Sequence, residues 1–204
     1  MRATVYVDGF NLYYGVKRWR SSRWLDLGEL SRRLFPNDEI HRIRYFTARV
    51  KGKHDPSAPL RQQSYLRALS SIPNLTFHFG TFLVSESWMP LAFPSRWRVP
   101  VLKTEEKGSD VNLATFLLLD VFQQDCEMAV VLSNDSDLKY PIEIVQGPPF
   151  NVPVWVVNPH THRAAALKPT HHLDLHRSIV LASQFPRTVQ TPNGKLVTRP
   201  ASWA

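Results

Sequence analysis

Residues 128–138 read MAVVLSNDSDL, an unbroken apolar run that stops at two carboxylates, Asp135 and Asp137. An apolar run without alternating polar residues is typical of a parallel strand that helices cover on both faces. Ligands of open α/β sheets bind beyond the carboxyl ends of the strands, where these two carboxylates are expected. Neighbouring carboxylates repel each other, which raises the pKa of one or both unless a cation lies between them. The stretch therefore predicts a buried central strand that ends at a metal site.

The composition favours a polyanionic partner. The 204-residue chain has 25 lysine and arginine residues against 17 aspartate and glutamate residues, a formal net charge of +8. No basic amphipathic helix stands out, so nucleic acid is favoured over an anionic membrane. Cys126 is the single cysteine, which excludes an intramolecular disulfide and a cysteine-based zinc site. The chain has no run of 18 apolar residues and no apolar signal segment, so we expect a soluble, cytoplasmic protein with no membrane partner.

A second apolar run ends in the same way. Residues 4–7 lead into Asp8, and Gly9 lets the backbone turn directly after it. If this segment is a strand parallel to the run at 128–132, its aspartate meets Asp135 at one edge of the sheet. The alternative is a simple turn, because Asp-Gly is a common turn pair.

Alternating strand and helix signals predict an α/β fold with a mainly parallel sheet. The predicted elements are strand 4–7, helix 27–34, strand 40–50, a helix from Asp55-Pro56 to Pro73, strand 75–84, a helix from Ser109, strand 128–132, helix 141–146 and strand 153–157. This order favours right-handed crossovers between parallel strands. Beyond Ser183 we expect a tail in which residues 192–195 form a hairpin turn between short strands.

The helix that begins near Ser109 carries two aspartates. Asp110 lies in its first turn, where a carboxylate either complements the helix dipole or joins a site. Asp120 falls far around the helical wheel from Asp110. We therefore expect Asp120 at the surface or at the helix end.

Two basic segments contain tryptophans that would suit nucleic acid. In the first, Lys17, Arg18 and Arg20 flank Trp19, and the alternative is a solvated loop with its tryptophans in the core. The second, residues 85–107, is rich in proline and is expected to be a long loop that clamps the substrate. Its candidate contacts are Trp88, Arg96, Trp97, Arg98, Lys103 and Lys107. The alternative here is that both tryptophans pack onto the sheet as core.

Histidines crowd the region behind the last predicted strand. Among them, His172 and His176 have the i, i+4 spacing that a helical metal site would need. The segment has no helical apolar pattern and no nearby carboxylate motif. We therefore predict no zinc site there.

Three motifs occur in a fixed order along the chain. They are VYVDGFN at 5–11, KGSDVNLA at 107–114 and VLSNDSD at 131–137. In this order they resemble the NYN domain family, relatives of PIN-domain nucleases. The resemblance covers residues 1–182 and leaves 183–204 as a tail. It implies a PIN-like three-layer α/β/α sandwich with a mainly parallel central sheet of about five strands.

The resemblance also implies metal-dependent ribonuclease activity. The acidic site would consist of Asp8, Asp110, Asp135 and Asp137. Asn11 matches the asparagine that follows the first aspartate by three residues in the family, and Ser133 and Asn134 of the third motif would support the site. The chain departs from the family at Phe116, where many members have a second acid, and at Asn134, where they have glycine.

The chemistry of the residues agrees with this resemblance. An open carboxylate cluster suits Mg²⁺ or Mn²⁺, and a bound ion would activate water for hydrolysis of an RNA phosphodiester. The alternative is a non-catalytic RNA-binding module on the same fold, which Phe116 favours. Aspartyl-phosphate chemistry is less well supported, because DGFN at 8–11 has no second acid two residues after Asp8. The chain also has no Walker-type loop for an NTPase.

Overall fold

The computed structural model describes residues 1–52, 55–93 and 97–204. Within these ranges the strands are β1 (Arg2–Asp8), β2 (Glu39–Ala48), β3 (Leu75–Pro90), β4 (Arg98–Lys107), β5 (Met128–Leu132), β6 (Val154–Asn158), β7 (His171–Asp174), β8 (Thr188–Gln190) and β9 (Leu196–Thr198). The helices are α1 (Gly9–Val16), α2 (Leu27–Leu34), α3 (Ala58–Leu69), α4 (Ser109–Phe122), α5 (Lys139–Gln146) and α6 (Arg177–Ala182), with 3₁₀ turns at Ser136–Leu138 and Ala201–Trp203. None of the described helices is long and apolar enough to cross a membrane.

Strands β1 to β7 form one sheet in the order β4-β3-β2-β1-β5-β6-β7. Neighbouring strands are parallel except for β3 and β4, which are antiparallel. The predicted central strand is β5, and all five of its residues are buried. It pairs directly with β1, so the two strands that end in aspartates are neighbours, as the sequence predicts.

Helices cover both faces of this sheet. Val5 and Val7 of β1 belong to the core beneath α1, α2, α3 and α6, whereas Tyr6 between them belongs to the core beneath α4 and α5. This alternation follows from the two-residue period of a strand. The predicted three-layer α/β/α sandwich is therefore confirmed. The sheet has seven strands rather than about five, because β4 and β7 add one strand at each edge.

Residues 85–90 and 98–107 lie in strands β3 and β4, so the expectation of a long loop over 85–107 is wrong. Strand β3 runs on past Gly80, where its pairing with β2 ends, and β4 returns beside it as an antiparallel arm. Pro100 is tolerated because β4 is an edge strand, where a missing backbone N–H needs no partner. Trp88 and Trp97 are 59% and 67% exposed, so the alternative that they pack as core is also wrong.

Asp120 is buried, which contradicts the surface or helix-end position expected for it. Its carboxylate is 1% exposed and accepts hydrogen bonds from Arg44 Nε at 2.7 Å, Arg44 Nη2 at 2.6 Å and the Tyr6 hydroxyl at 2.9 Å. A helical wheel compares positions within one helix only. It does not show that β2 presents an arginine to the face of the sheet that α4 covers.

The residues beyond 182 pack against the sandwich. Strands β8 and β9 form the predicted hairpin, and Thr191 and Lys195 close its turn with a backbone hydrogen bond of 2.9 Å. Phe185 and Trp203 are buried in the core beneath α1, α2, α3 and α6. The division of the chain at residue 182 stays a prediction.

We expect Asp120→Ala to destabilise the protein by about 3–5 kcal/mol, because it leaves the Arg44 guanidinium buried without its anion. Urea unfolding measures this loss. The matched control is Asp125→Ala, since Asp125 also pairs with arginines, Arg2 and Arg42, but is 30% exposed. The control should lose less than about 1 kcal/mol. Equal losses in the two variants would show that the buried pair has no special weight.

Candidate metal centre

Three aspartates from separate parts of the chain meet at one edge of the sheet. Asp8 ends β1, Asp135 follows β5, and Asp110 is the second residue of α4. One carboxylate oxygen from each lies within 4.8 Å of the others. Asp8 is buried, whereas Asp110 and Asp135 are partly exposed. The structure thus brings together two strand-end acids and one helix-start acid, as the motifs predict.

Hydrogen bonds hold the Asp8 carboxylate in place. Ser133 Oγ donates to Asp8 Oδ2 at 2.9 Å, and the Asn11 backbone N–H donates to Asp8 Oδ1 at 2.9 Å. The Asp135 backbone N–H in turn donates to Ser133 Oγ at 3.1 Å. Asp8 also caps the N-terminus of α1, and Asp135 caps the 3₁₀ turn at Ser136–Leu138. These bonds fix both strand-end acids relative to each other.

Asn11 and Asn134 connect the site to the loop that follows β6. Asn11 Oδ1 accepts from the Asn134 backbone N–H at 3.0 Å and lies 3.0 Å from His160 Nε2. The Asn134 side chain bonds the backbone of His162 at 2.8 Å and of Ala164 at 2.7 Å. A glycine at position 134 would have no side chain for these bonds. The departure from the family pattern therefore ties the β6 loop to the site.

His160 lies in the site, and the sequence did not single it out from the other histidines. The available signal is its place two residues after β6, since β6 is the parallel neighbour of β5 and ends at the same edge. Close packing also positions it. An added Cβ at Gly15 of α1 would lie 2.6 Å from the Pro159 carbonyl oxygen, so only glycine lets α1 approach this loop.

The acids are crowded and partly desolvated. Burial raises the pKa of Asp8, while the hydrogen bonds from Asn11 and Ser133 lower it. Burial first, and then the charges of Asp8 and Asp135, raise the pKa of Asp110 to about 6. The pKa of His160 is lowered by burial and by the charge of Arg18, which favours the neutral imidazole. A cation among the three carboxylates would relieve their repulsion.

The donor set fits a hard divalent ion. Mg²⁺ and Mn²⁺ prefer oxygen ligands and keep several waters, which matches three carboxylates at an open cleft. Within the described residues, this is the one place where three acidic, histidine or cysteine side chains come close enough to share an ion. The cleft has a volume of about 400 Å³. It is partly lined by His160 and by Glu106, which the sequence did not identify.

Glu106 shapes the start of α4. Its carboxylate accepts hydrogen bonds from the Ser109 backbone N–H at 3.1 Å and from Ser109 Oγ at 2.5 Å. The side chain passes over Gly80, where an added Cβ would also lie 2.6 Å from the Lys107 carbonyl oxygen. The close approach of β3 and β4 at Gly80 therefore positions the helix turn that carries Asp110.

Asp137 and Phe116 lie outside the group of three acids. Asp137 is exposed, and its backbone N–H donates to Asp135 Oδ1 at 2.9 Å. Phe116 packs with its ring centroid 4.1 Å from that of His78 and 4.5 Å from the Arg44 guanidinium. Asp110 is therefore the one α4 residue in the carboxylate trio.

The predicted nucleic-acid contacts lie on two surfaces. Lys17, Arg18 and Arg20 are exposed at the end of α1, with Lys17 over the Tyr14 ring at 4.1 Å. Trp19 is partly buried against the core, and Trp24 is fully buried.

The remaining predicted contacts belong to the β3–β4 arm, except for Arg96, which lies outside the described residues. Trp88 shares a strand face with Phe82, which lines the cleft, and Arg98 Nη2 donates to the Trp88 carbonyl at 3.0 Å. Lys103 and Lys107 lie on the opposite face, where both pair with Glu105.

The chain is similar to known proteins along most of its length. The family model described as NYN domain matches residues 2–175. The chain is 26% identical over 239 aligned positions to 6-hydroxy-3-succinoylpyridine 3-monooxygenase HspA of Pseudomonas putida, an alignment that covers all of this chain and 75% of the relative. A solved structure of a protein of unknown function from Vibrio parahaemolyticus matches at a TM-score of 0.54 and 14% identity, covering 86% of this chain and 93% of that one. This last likeness concerns the fold alone.

We expect Asp110→Asn to stabilise the metal-free protein at neutral pH. The raised pKa means that the folded state binds more protons than the unfolded chain between the ordinary carboxylate pKa and about 6. Metal-free wild type therefore loses stability as the pH rises through this window. Solvent screens the partly exposed Asp110, so we expect the free energy of unfolding of the variant to be only about 1 kcal/mol higher than that of wild type. This corresponds to a rise of roughly 2–4 °C in Tm.

Thermal melts in EDTA at pH 4 and pH 7.5 measure this effect. The gain should be present at pH 7.5 and nearly absent at pH 4, where wild type is also protonated. Glu86→Gln, which removes an exposed carboxylate far along the arm, is the matched control and should leave Tm unchanged. A gain of the same size at both pH values would argue against charge repulsion as its cause.

Proposed function

Because the chain belongs to the NYN domain family, we propose that it is a divalent-metal-dependent endoribonuclease that acts on cytoplasmic RNA. The observation that carries the proposal is the meeting of Asp8, Asp110 and Asp135 at the carboxyl ends of β1 and β5. Hydrolysis of a phosphodiester needs a group that activates water and a group that neutralises the phosphate. A carboxylate-bound Mg²⁺ or Mn²⁺ meets both needs.

Asp8, Asp110 and Asp135 would hold the ion, and Asp137 would act from the rim of the site. When bound, the ion supplies a water of lowered pKa and positive charge opposite the phosphate oxygens. Ser133 and the Asn11 N–H keep the Asp8 oxygens oriented. The side-chain amide oxygen of Asn11, Oδ1, can only accept a hydrogen bond, so the neutral His160 imidazole carries its proton on Nε2. This bond holds the imidazole at the wall of the cleft.

The arm and the end of α1 would bind the RNA strand. Trp88 offers an exposed ring on the face of the arm that leads to Phe82 at the cleft. Stacking on such a ring binds a base without sequence preference, and lysine and arginine neutralise the backbone. Arg98 lies beside Trp88, whereas Lys103 and Lys107 would contact RNA only from the opposite face. The remaining proposed contacts are Lys17, Arg18, Arg20, Arg96 and Trp97.

The non-catalytic RNA-binding module stays as the alternative. In that case the three carboxylates would hold a structural ion or none, and Phe116 would mark the lost activity. One assay that measures both RNA binding and RNA cleavage distinguishes the two functions. A binding module would bind RNA equally well as wild type and as carboxylate variants, and none of these proteins would cleave it. Loss of cleavage with retained binding in a carboxylate variant supports the enzyme.

Oxygenation of a heteroaromatic ring is a second candidate function, after the printed name of the Pseudomonas relative. The observation that favours it is a small pocket walled by aromatic side chains that adjoins the acidic cleft. Incubation with 6-hydroxy-3-succinoylpyridine, dioxygen and a two-electron reductant tests it. Mass spectrometry would then detect a substituted product that contains one oxygen atom from dioxygen.

Asp135→Asn should lower RNA cleavage by more than about 100-fold, since even outer partners of a metal site matter by 10–100-fold. The fold should remain, because the change removes charge and keeps the shape of the side chain. Asp137→Asn should lose less, about tenfold, since Asp137 lies outside the three-acid group. EDTA should abolish wild-type cleavage, and Mg²⁺ or Mn²⁺ should restore it.

These assays need protein purified free of host nucleases. Glu39→Gln is the control for loss of an unrelated carboxylate, because Glu39 is exposed at the start of β2, at the opposite end of the strands from the site. This variant should cleave like wild type. Cleavage that is equal in wild type and Asp135→Asn would refute the catalytic role of the cluster.

Trp88→Ala should weaken the binding of single-stranded RNA by roughly 5- to 150-fold, since one stacked base is worth about 1–3 kcal/mol. Its matched control is Leu83→Ala. Leu83 is similarly exposed, at 53%, but it lies on the opposite face of the same strand. Fluorescence anisotropy measures both affinities, and thermal melts check that neither variant is destabilised. If Trp88→Ala binds RNA as tightly as wild type, the Trp88 face does not contact RNA.

A further inference from the structure

A second pocket lies beside the acidic cleft and has no role in the functions assigned so far to the carboxylates. It has a volume of about 230 Å³, and Tyr13, Tyr45, Tyr65 and Trp203 form much of its wall. Pockets for drug-sized ligands start at roughly 300 Å³. The size and the flat aromatic walls therefore fit one planar ring system rather than a long flexible chain.

The pocket and the cleft adjoin each other, because they share lining residues. Phe10, Tyr14 and Val50 line both of them. Tyr45 also reaches from the pocket to the first turn of α1, because an added Cβ at Gly9 would lie 2.7 Å from its hydroxyl. Gly9 follows Asp8 directly, so the pocket begins next to the carboxylates. A ligand with a phosphate in the cleft can extend a neighbouring group into the pocket.

One polar atom among the pocket residues has no partner. Trp203 is 4% exposed, and its Nε1 is buried without a hydrogen-bond acceptor among the described residues. Indole Nε1 is a donor only, and a buried donor left unpaired costs roughly 1–3 kcal/mol. Because Nε1 has almost no exposed surface, a ligand in the pocket would not reach it, and the polar edges of a ring would instead meet Thr47, Arg61 or Gln62 of the lining.

Two polar side chains that line the pocket, Gln62 and Arg61, are already held by bonds within the protein. Gln62 donates to the Ala48 carbonyl at 2.8 Å and accepts from the Val50 N–H at 2.9 Å, so it fixes the chain at residues 48–50, where β2 ends. Arg61 pairs with Asp55 and donates to Ser57. These bonds hold the two side chains in place without a ligand, which lowers the entropy lost on binding.

We propose that this pocket binds the nucleobase of a nucleotide adjacent to the phosphate that lies at the acidic cluster. The assignment rests on the proposed ribonuclease function. It combines a planar ring, which fits the flat aromatic walls, with a polyanionic chain, which the net charge of +8 favours. A base inside the pocket is unpaired and unstacked, so the substrate is single-stranded at this position.

Binding of a short oligonucleotide series tests the proposal. Each member carries one abasic position and linkages that resist hydrolysis. The affinities are measured with Mg²⁺ present, so that the cation at the cluster is kept and cleavage plays no part. Wild type should bind the intact strand about 5- to 150-fold more tightly than the member that lacks the base at the pocket position. The variant Ala58→Phe places a ring in the pocket from the first residue of α3 and should bind both strands equally.

Leu60→Phe is the matched control, because it adds the same ring on the same helix at a residue that is 66% exposed and outside the pocket. It should keep the wild-type preference for the intact strand. Loss of the preference in both variants, or no abasic effect at any position in wild type, would overturn the proposal. Thermal melts confirm that both variants are folded.

A competition arm distinguishes the two sources of a planar ring. A free nucleoside monophosphate should displace the oligonucleotide from wild type and not from Ala58→Phe. If a free hydroxypyridine displaces it while the abasic series shows no effect, the pocket serves a small-molecule substrate and the nucleobase assignment fails. An abasic effect in a protein that cleaves no RNA would instead refute the ribonuclease and leave base binding in place.

Discussion

The parallel pairing of β1 with β5 is the constraint on which the rest of the molecule depends. Val7 pairs with Leu132, so the next residue of each chain segment lies at the same edge of the sheet. These residues are Asp8, the last of β1, and Ser133, the first after β5. Both strands are buried on both faces, which requires a helix layer above and below the sheet. After β1 and β5 the chain turns directly into helical structure at this carboxyl edge. Asp8 therefore caps α1 where Asp135 caps its own 3₁₀ turn.

The same edge concentrates negative charge in a basic protein. Burial and then the charges of Asp8 and Asp135 raise the pKa of Asp110, so ionisation of all three carboxylates is unfavourable without a cation. The buried carboxylate of Asp120, by contrast, is paired with a cation. Asp120, on the same helix, is buried against Arg44 and Tyr6, so its charge is fully matched. One helix thus carries an acid that stabilises the fold and an acid that the fold leaves available to a cation.

Much of the fold and of the site could be predicted from the sequence, because local signals carried them. The apolar runs at 128–132 and 4–7 both lead to aspartates, and the parallel pairing of the two strands brings those ends together. Signals that depend on distant partners were not available. Residues 85–90 are strand because they pair with residues 98–103, and the prolines of this segment made it read as a loop. Burial of Asp120 depends on Arg44, which is 76 residues away. His160 enters the site through a bond to Asn11, 149 residues away.

The departure at Phe116 has a physical reading once Asp120 is placed. The Phe116 ring packs on His78 and on the Arg44 guanidinium, in the layer between α4 and the sheet. An acid at this position would compete with Asp120 for Arg44, whose charge one buried carboxylate already neutralises. Helix α4 therefore contributes Asp110 alone to the described carboxylate group. An ion held by Asp8, Asp110 and Asp135 would take its remaining ligands from water and the substrate phosphate.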